Sequence, residues 1–153
     1  MSCIRKAVPA DICRLAEIEI FNYRMYFYPL FRTDDYFFSE LNVPVLMQEY
    51  LDHPEKIERT HVFDDGVVKG FVRVNGKEIE KLFVEAVFQN DGIGSALLEH
   101  AVQNAADRWL LVLEKNAGAI RLYKRHGFRM TDHRQRVDDT GEYLVRMERQ
   151  GKR

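Results

Sequence analysis

The chain is poor in cysteine, in long apolar runs and in any excess of one charge, and each shortage closes a class of function. Two cysteines, Cys3 and Cys13, allow at most one bridge, and no CxxC pair or Cys/His cluster offers a metal site. Two reduced, partly buried thiols and a cytoplasmic protein are the expectation. No apolar run approaches the ~20 residues of a membrane span. The opening "MSCIRKAVPADIC" lacks the apolar core of a signal peptide. With 23 basic against 24 acidic side chains the formal net charge is −1, so the basic stripe of a dedicated nucleic-acid binder is missing. Repeats, low-complexity tracts and linkers are missing too. What is present, 153 residues with 46% hydrophobic content, suits a single domain over 1–153 with its own core.

Periodicity supplies the elements. "CIRKAV" reads as a strand, and Pro9 and Asp11 open an amphipathic helix with Ile12, Leu15, Ala16, Ile18 and Ile20 at helical spacing. The stretch from Phe21 to Phe38 holds nine of the eighteen aromatic residues, and a second helix is expected over about Val43 to Leu51. Two strands, "RTHVFDD" and "VVKGFVRVN", meet across Asp65-Gly66. Asn75-Gly76 leads to a third, "KEIEKLFVEAVF". A helix from Gly92 to about Asp107, the strand "RWLLVLE", the helix "NAGAIRLYKRHGF" and two tail strands complete the chain. The order β-α-α-β-β-β-α-β-α-β-β predicts an α/β (α+β) domain: a single mixed, mostly antiparallel sheet flanked by helices. Its one parallel crossover, through the Gly92 helix, should be right-handed.

"QNDGIGSALLEHA", Gln89 to Ala101, places two glycines where the helix begins, although each costs a helix roughly 1 kcal/mol against alanine. First-turn amides have no intrahelical partner and the helix end is partly positive, so bare backbone there can cradle an anion. A Walker loop needs Lys-Ser/Thr after its second glycine, where Ser95-Ala96 stands. The dinucleotide pattern GxGxxG fails at Leu97. From the glycines alone, a βα corner that binds nothing stays equally open.

Two motifs together narrow the choice. "LFVEAVFQNDGIGSALLEHA", Leu82 to Ala101, resembles the acetyl-CoA motif of the GNAT family of N-acetyltransferases, with its Gln-x-x-Gly-x-Gly turn after an apolar strand. "VLEKNAGAIRLYKRHGF", Val112 to Phe128, is similar to the family's second signature, with Asn116, Ala119, Tyr123, Gly127 and Phe128 in register. The strand order extends the resemblance along the chain. Ala86 stands where the family often has proline, and Asn90 and Asp91 where it often has glycine or a basic residue. Asp91 would weaken a pyrophosphate contact unless its side chain turns outward.

The resemblance implies a GNAT-like acyl-CoA N-acyltransferase fold and transfer of acetyl from acetyl-CoA to a primary amine in a ternary complex, without a metal. It implies that strands Lys81–Phe88 and Trp109–Leu113 splay to admit pantetheine, which pairs with backbone around Leu82, Phe83 and Val84. The pyrophosphate would rest on the amides of Gln89, Asn90, Asp91, Gly92, Ile93, Gly94 and Ser95. Asn116, Ala119 and Tyr123 would complete the coenzyme site, with Tyr123 giving its proton to the leaving thiolate. Each has a bland alternative: Tyr123 as core packing, Asn116 as a helix cap. Glu78 and Glu80 are the candidate bases, sharing a strand face with Leu82 if alternation holds, and His61 is an outside choice. Both glutamates also read as an ordinary solvated strand end.

Acceptor choice falls to the middle of the chain. Asp34, Asp35, Glu40, Glu49, Asp52 and Glu55 face one base, Lys56, beside the cluster Tyr23, Tyr26, Phe27, Tyr28, Phe31, Tyr36, Phe37 and Phe38. Acid and aromatic faces suit a cationic amine, on a small molecule or a peptide, by charge and cation–π contact. Core filling or a homodimer seam is the competing use of the rings. A non-catalytic acyl-CoA sensor on the same scaffold is the alternative function.

Overall fold

The computed structural model describes residues 2–105 and 107–151. Its strands are β1 (Ile4–Lys6), β2 (Thr60–Asp64), β3 (Val68–Asn75), β4 (Glu78–Val84), β5 (Arg108–Leu113), β6 (Arg129–Arg136) and β7 (Tyr143–Arg149). They form one sheet in the order β1-β2-β3-β4-β5-β7-β6. Every neighbouring pair is antiparallel except β4 and β5. The expected hairpin turns stand where glycine's freedom is needed, with Gly66 at φ 118° and Gly76 at φ 60°.

Alternation along β3 splits the core between the two faces. Phe71 packs with Leu15 and Ile18 of α1 (Ile12–Asn22), whereas Val72 packs with Leu97 and Leu98 of α5 (Ile93–Asn104). The predicted apolar stripe of α1 is buried in full: Ile12, Leu15, Ala16, Ile18 and Ile20. Between α1 and β2 lie α2 (Tyr28–Phe31), α3 (Val43–Asp52) and α4 (Glu55–Glu58), with π-helical turns at Tyr23–Phe27 and Tyr36–Glu40. Helix α6 (Ala117–Arg125) joins the α5 side through Tyr123 and the following Phe128. Gly70 permits the close fit of α5: a Cβ there would lie 2.8 Å from the Phe83 carbonyl oxygen and 3.2 Å from Leu97 Cδ1.

Two expectations need correction. The third strand ends at Val84, because Ala86–Phe88 turns into a short 3₁₀ segment instead of extending to Phe88. Strict alternation from Glu78 to Leu82 also fails. Arg73 opposes Lys81 while Val74 opposes Ile79, so Glu80 is the extra residue of a β-bulge. Ile79 and Leu82, three apart, consequently pack into the same core cluster.

Candidate active site

β4 and β5 pair at one position, Glu78 opposite Trp109, and then diverge. Parallel neighbours in register would keep their slanted ladder throughout. Here the divergence leaves a cleft of about 810 Å³, floored by Leu82, Phe83 and Val84 of β4 and by Leu110 to Leu113 of β5. The wall opposite comes from α6, through Asn116, Ala119, Leu122 and Tyr123.

The glycine turn forms one end of this cleft. Gly92, at φ 81°, is the N-cap of α5, and the first α-helical amide bond is Ala96 N–H to the Gly92 carbonyl at 3.0 Å. The amides of Ile93, Gly94 and Ser95 therefore precede the helical ladder, in the position that favours an anion. A Cβ on Gly92 would meet nothing within 4 Å, and one on Gly94 would meet only ordinary contacts, Leu122 Cδ2 at 3.5 Å and Val84 Cγ2 at 3.8 Å. The protein's own packing does not require glycine at 94. A polyanion approaching the amides does, so the residues fit the diphosphate of coenzyme A.

Most of the residues named from sequence meet at this cleft. Gln89, Asn90, Gly92, Gly94, Ser95, Asn116, Ala119 and Tyr123 all line it. Asp91 is exposed and outside the lining, the outward orientation under which its charge does least harm. The Ile93 side chain is a core residue, so only its amide can serve. Asn116 also caps α6, its Oδ1 accepting from Ala119 N–H at 3.2 Å. The Ser95 hydroxyl lies 3.2 Å from His126 Nε2, tying the first turn of α5 to the end of α6.

Neighbouring side chains close the Gln89 end of the floor. Val84's carbonyl accepts from Gln89 Nε2 at 3.0 Å and Asn22 Nδ2 at 3.2 Å. That oxygen is thus occupied, leaving the rest of the Leu82–Val84 edge for an added strand. Gln89 Oε1 in turn accepts from the Tyr26 hydroxyl at 2.8 Å.

Tyr123 is buried, its ring 5.8 Å from that of Phe128. Burial pushes its hydroxyl up to about 12, so it carries its proton at neutral pH. Glu78 and Glu80 line the cleft near the point where β4 and β5 still pair. Burial, and then the charge of Glu80, raises Glu78 above the usual carboxylate range. Glu80 accepts from Asn75 Nδ2 at 3.0 Å. His61 lies elsewhere, its ring 4.6 Å from that of His100. Cys13 is exposed, against the expectation of a partly buried thiol, and Cys3 is half-buried. Neither cysteine lines a cavity described here.

A second cavity, of about 880 Å³, adjoins the cleft. Tyr23, Phe27, Phe31, Tyr36 and Phe37 supply its rings. Of the six acids expected on this wall, Asp35, Glu40 and Glu49 line it. The others turn away: Asp34 accepts from the Tyr28 hydroxyl, Asp52 from Gln48, and Glu55 neighbours His53. Glu19 and Asp138 complete an acidic lining that outnumbers its bases, Lys56, Arg73 and Lys81. Sequence reasoning missed Glu19, Asn22 and Arg73, and gave Lys81, beside Glu78 and Glu80 at the start of its strand, no role. The available signal was polarity on an apolar face, since Glu19 and Asn22 are buried beside Ile18 and Ile20 of α1.

Residues 56–130 match the family described as an acetyltransferase (GNAT) domain. The chain is 34% identical over 97 residues, 63% of its length, to the peptidyl-lysine N-acetyltransferase YjaB of Salmonella typhimurium. The match spans 65% of that relative, a little under two thirds. The apo-form YjaB structure from Escherichia coli is 25% identical with a TM-score of 0.70, covering 97% of each chain. The fold also matches yncA of Salmonella typhimurium, solved with acetyl-CoA, at 20% identity and a TM-score of 0.67 over 96% of this chain and 92% of that one. Splayed strands, glycine turn and downstream Asn/Tyr helix accompany these likenesses, and over residues 56–130, just under half of its length, the chain is similar to the GNAT acetyltransferase domain.

Proposed function

We propose that the protein is an N-acetyltransferase that moves the acetyl group of acetyl-CoA to the side-chain amine of a lysine in a peptide or protein. The observation that carries this reading is the meeting of the cleft between β4 and β5 with the acidic, aromatic cavity, through shared lining residues. One cavity fits an anionic coenzyme on a helix N-terminus, and the other fits a cation among rings and carboxylates. The Salmonella typhimurium relative described above is named a peptidyl-lysine N-acetyltransferase, which favours lysine over a small amine.

In this reading acetyl-coenzyme A supplies the thioester. The α5 amides hold its diphosphate, and the free edge of β4 holds the pantetheine arm as an added strand. Tyr123 keeps its proton until sulfur departs, and then donates it. No helix among the described residues is long and apolar enough to cross a membrane, and we place the reaction in the cytoplasm.

The test is thiol release from acetyl-CoA in the presence of lysine peptides, with coenzyme affinity measured separately by calorimetry. The enzyme should turn over, and Tyr123→Phe should lose about 100-fold in kcat at unchanged coenzyme affinity. Tight coenzyme binding with no turnover on any amine would convert the reading to an acyl-CoA sensor.

A further inference from the structure

The two cavities share four lining residues: Phe27, Lys81, Leu113 and Leu144. An amine entering from the acidic side meets the acyl group at this junction, if the acetyltransfer reading holds. Lys81 alone of the four carries a titratable group. Glu78, Glu80 and Tyr123 line the cleft but not the second cavity.

Lys81 is held there by a chain of hydrogen bonds. Its Nζ donates to the Tyr23 hydroxyl at 2.7 Å, and that hydroxyl donates to Glu19 Oε2 at 3.3 Å. On the other carboxylate oxygen, the Tyr50 hydroxyl donates to Glu19 Oε1 at 3.4 Å, and Arg73 Nη2 lies 3.9 Å away. Arg73 also donates to Tyr50 and to Thr60 Oγ1. Glu19, at 6% exposure, and Arg73, at 3%, are both buried. The buried carboxylate of Glu19 is therefore already matched by a guanidinium, and a protonated Lys81 would add a second cation. With Tyr23 committed as donor to Glu19, its oxygen accepts one N–H of Lys81. The remaining valences of Nζ are left for the junction.

We propose that Lys81 is the general base that takes the proton from the incoming ammonium, with Tyr23 and Glu19 as the residues that position it. Nζ binds one proton of the ammonium. The neutral nitrogen bonds to the acyl carbon as the carbon–sulfur bond breaks. Tyr123 protonates the departing sulfur and regains a proton from the new amide nitrogen, and Lys81 returns its own to water. Burial lowers Lys81 below the ordinary lysine value. The charges facing it agree in part: Glu19 on α1 and Glu80 on its own strand raise it, while Arg73 on β3 and Lys56 on α4 lower it. Burial is the largest of these effects, so Lys81 gives up its proton more readily than an ordinary lysine.

Two measurements test this. The first, ¹³Cε-lysine NMR titration of wild type and Lys81→Met, does not depend on turnover. The resonance missing from the variant should titrate below the ordinary 10.5. A midpoint at or above that value overturns the proposal, whether or not the protein proves to be an acetyltransferase. The second is the pH profile of kcat/KM with acetyl-CoA and a lysine peptide. Lys81→Met should lose about 100-fold and the acidic limb, while binding acetyl-CoA as wild type does. Converting Lys81→Cys to its aminoethyl thioether, a less basic amine, should restore activity with the limb moved to lower pH. An active wild type whose profile survives Lys81→Met removes Lys81 and leaves the acetyltransferase reading standing.

Discussion

The Tyr26 hydroxyl donates to Gln89 Oε1 at 2.8 Å, joining the aromatic segment to the first residue of the glycine turn, 63 positions away in sequence. Gln89 uses its other end on the Val84 carbonyl, so Tyr26 helps orient a side chain that shapes the floor of the cleft. Tyr26→Phe removes one neutral hydrogen bond at an exposed site. It should weaken acetyl-CoA binding by about two- to tenfold with little change in melting temperature, read by calorimetry and thermal unfolding.

The two glycines of the turn should separate by experiment. Gly92 sits at φ 81°, where a Cβ costs about 1–2 kcal/mol, so Gly92→Ala should destabilise the fold by that amount. Gly94 has room for a methyl group, with Leu122 Cδ2 at 3.5 Å as its nearest contact. Gly94→Ala should melt at or somewhat above wild type, by up to about 1 kcal/mol, and bind coenzyme A about tenfold more weakly, a loss of about 1.4 kcal/mol. Denaturant titration and calorimetry on both variants check the split.

Glu19 and Arg73 predict a thermodynamic asymmetry. Glu19→Ala leaves the buried guanidinium of Arg73, 3.9 Å from the lost carboxylate, without its counter-charge. The expected loss is about 3–5 kcal/mol. Pairing Glu19→Leu with Arg73→Met should recover most of it, because both charges then leave together. Equal losses from the single and double changes in urea unfolding would remove the electrostatic account.

Asp11 gives the pH dependence of stability. The hydrogen bonds from Arg5 hold its carboxyl below the ordinary 3.8, helped by the Val8 amide and opposed by burial. Such a group adds stability that is complete above its unfolded value and is lost as pH falls through the lower folded value. Wild type should therefore exceed Asp11→Asn by about 1 kcal/mol at neutral pH, a modest figure because half-exposed Arg5 is screened by water. Below about pH 4 the gap should shrink, as followed by chemical unfolding across the acid range.

Local signals carried much of the fold. The stripe on α1, the Asp-Gly and Asn-Gly turns and the Gly92 helix start are statements about near neighbours, and the chain forms them where they are written. The residues that line the cleft were legible for the same reason. An anion cradle is built from backbone amides of one short turn, and Asn116, Ala119 and Tyr123 share one face of one helix. The glutamates of β4 were less legible, because their face depends on a bulge opposite Arg73 and Val74, a relationship between two strands.

Lys81 marks the boundary between the two kinds of information. Sequence places it on a strand beside Glu80 and Leu82, where a lysine ordinarily reaches water. What makes it unusual is the approach of Glu19 from α1, Tyr23 from the π-helical turn that follows it and Arg73 from β3, residues 62, 58 and 8 positions away. The sequence by itself determined the main strands and helices, the mixed, mostly antiparallel character of the sheet and the glycine turn, since these follow from periodicity and local backbone preference. The tertiary structure alone decided which carboxylates face the second cavity, where β4 and β5 part, and that a lysine stands where the two cavities meet. Burial and charge compensation are sums over everything nearby in space, and neighbours in space are set only when the chain has closed on itself.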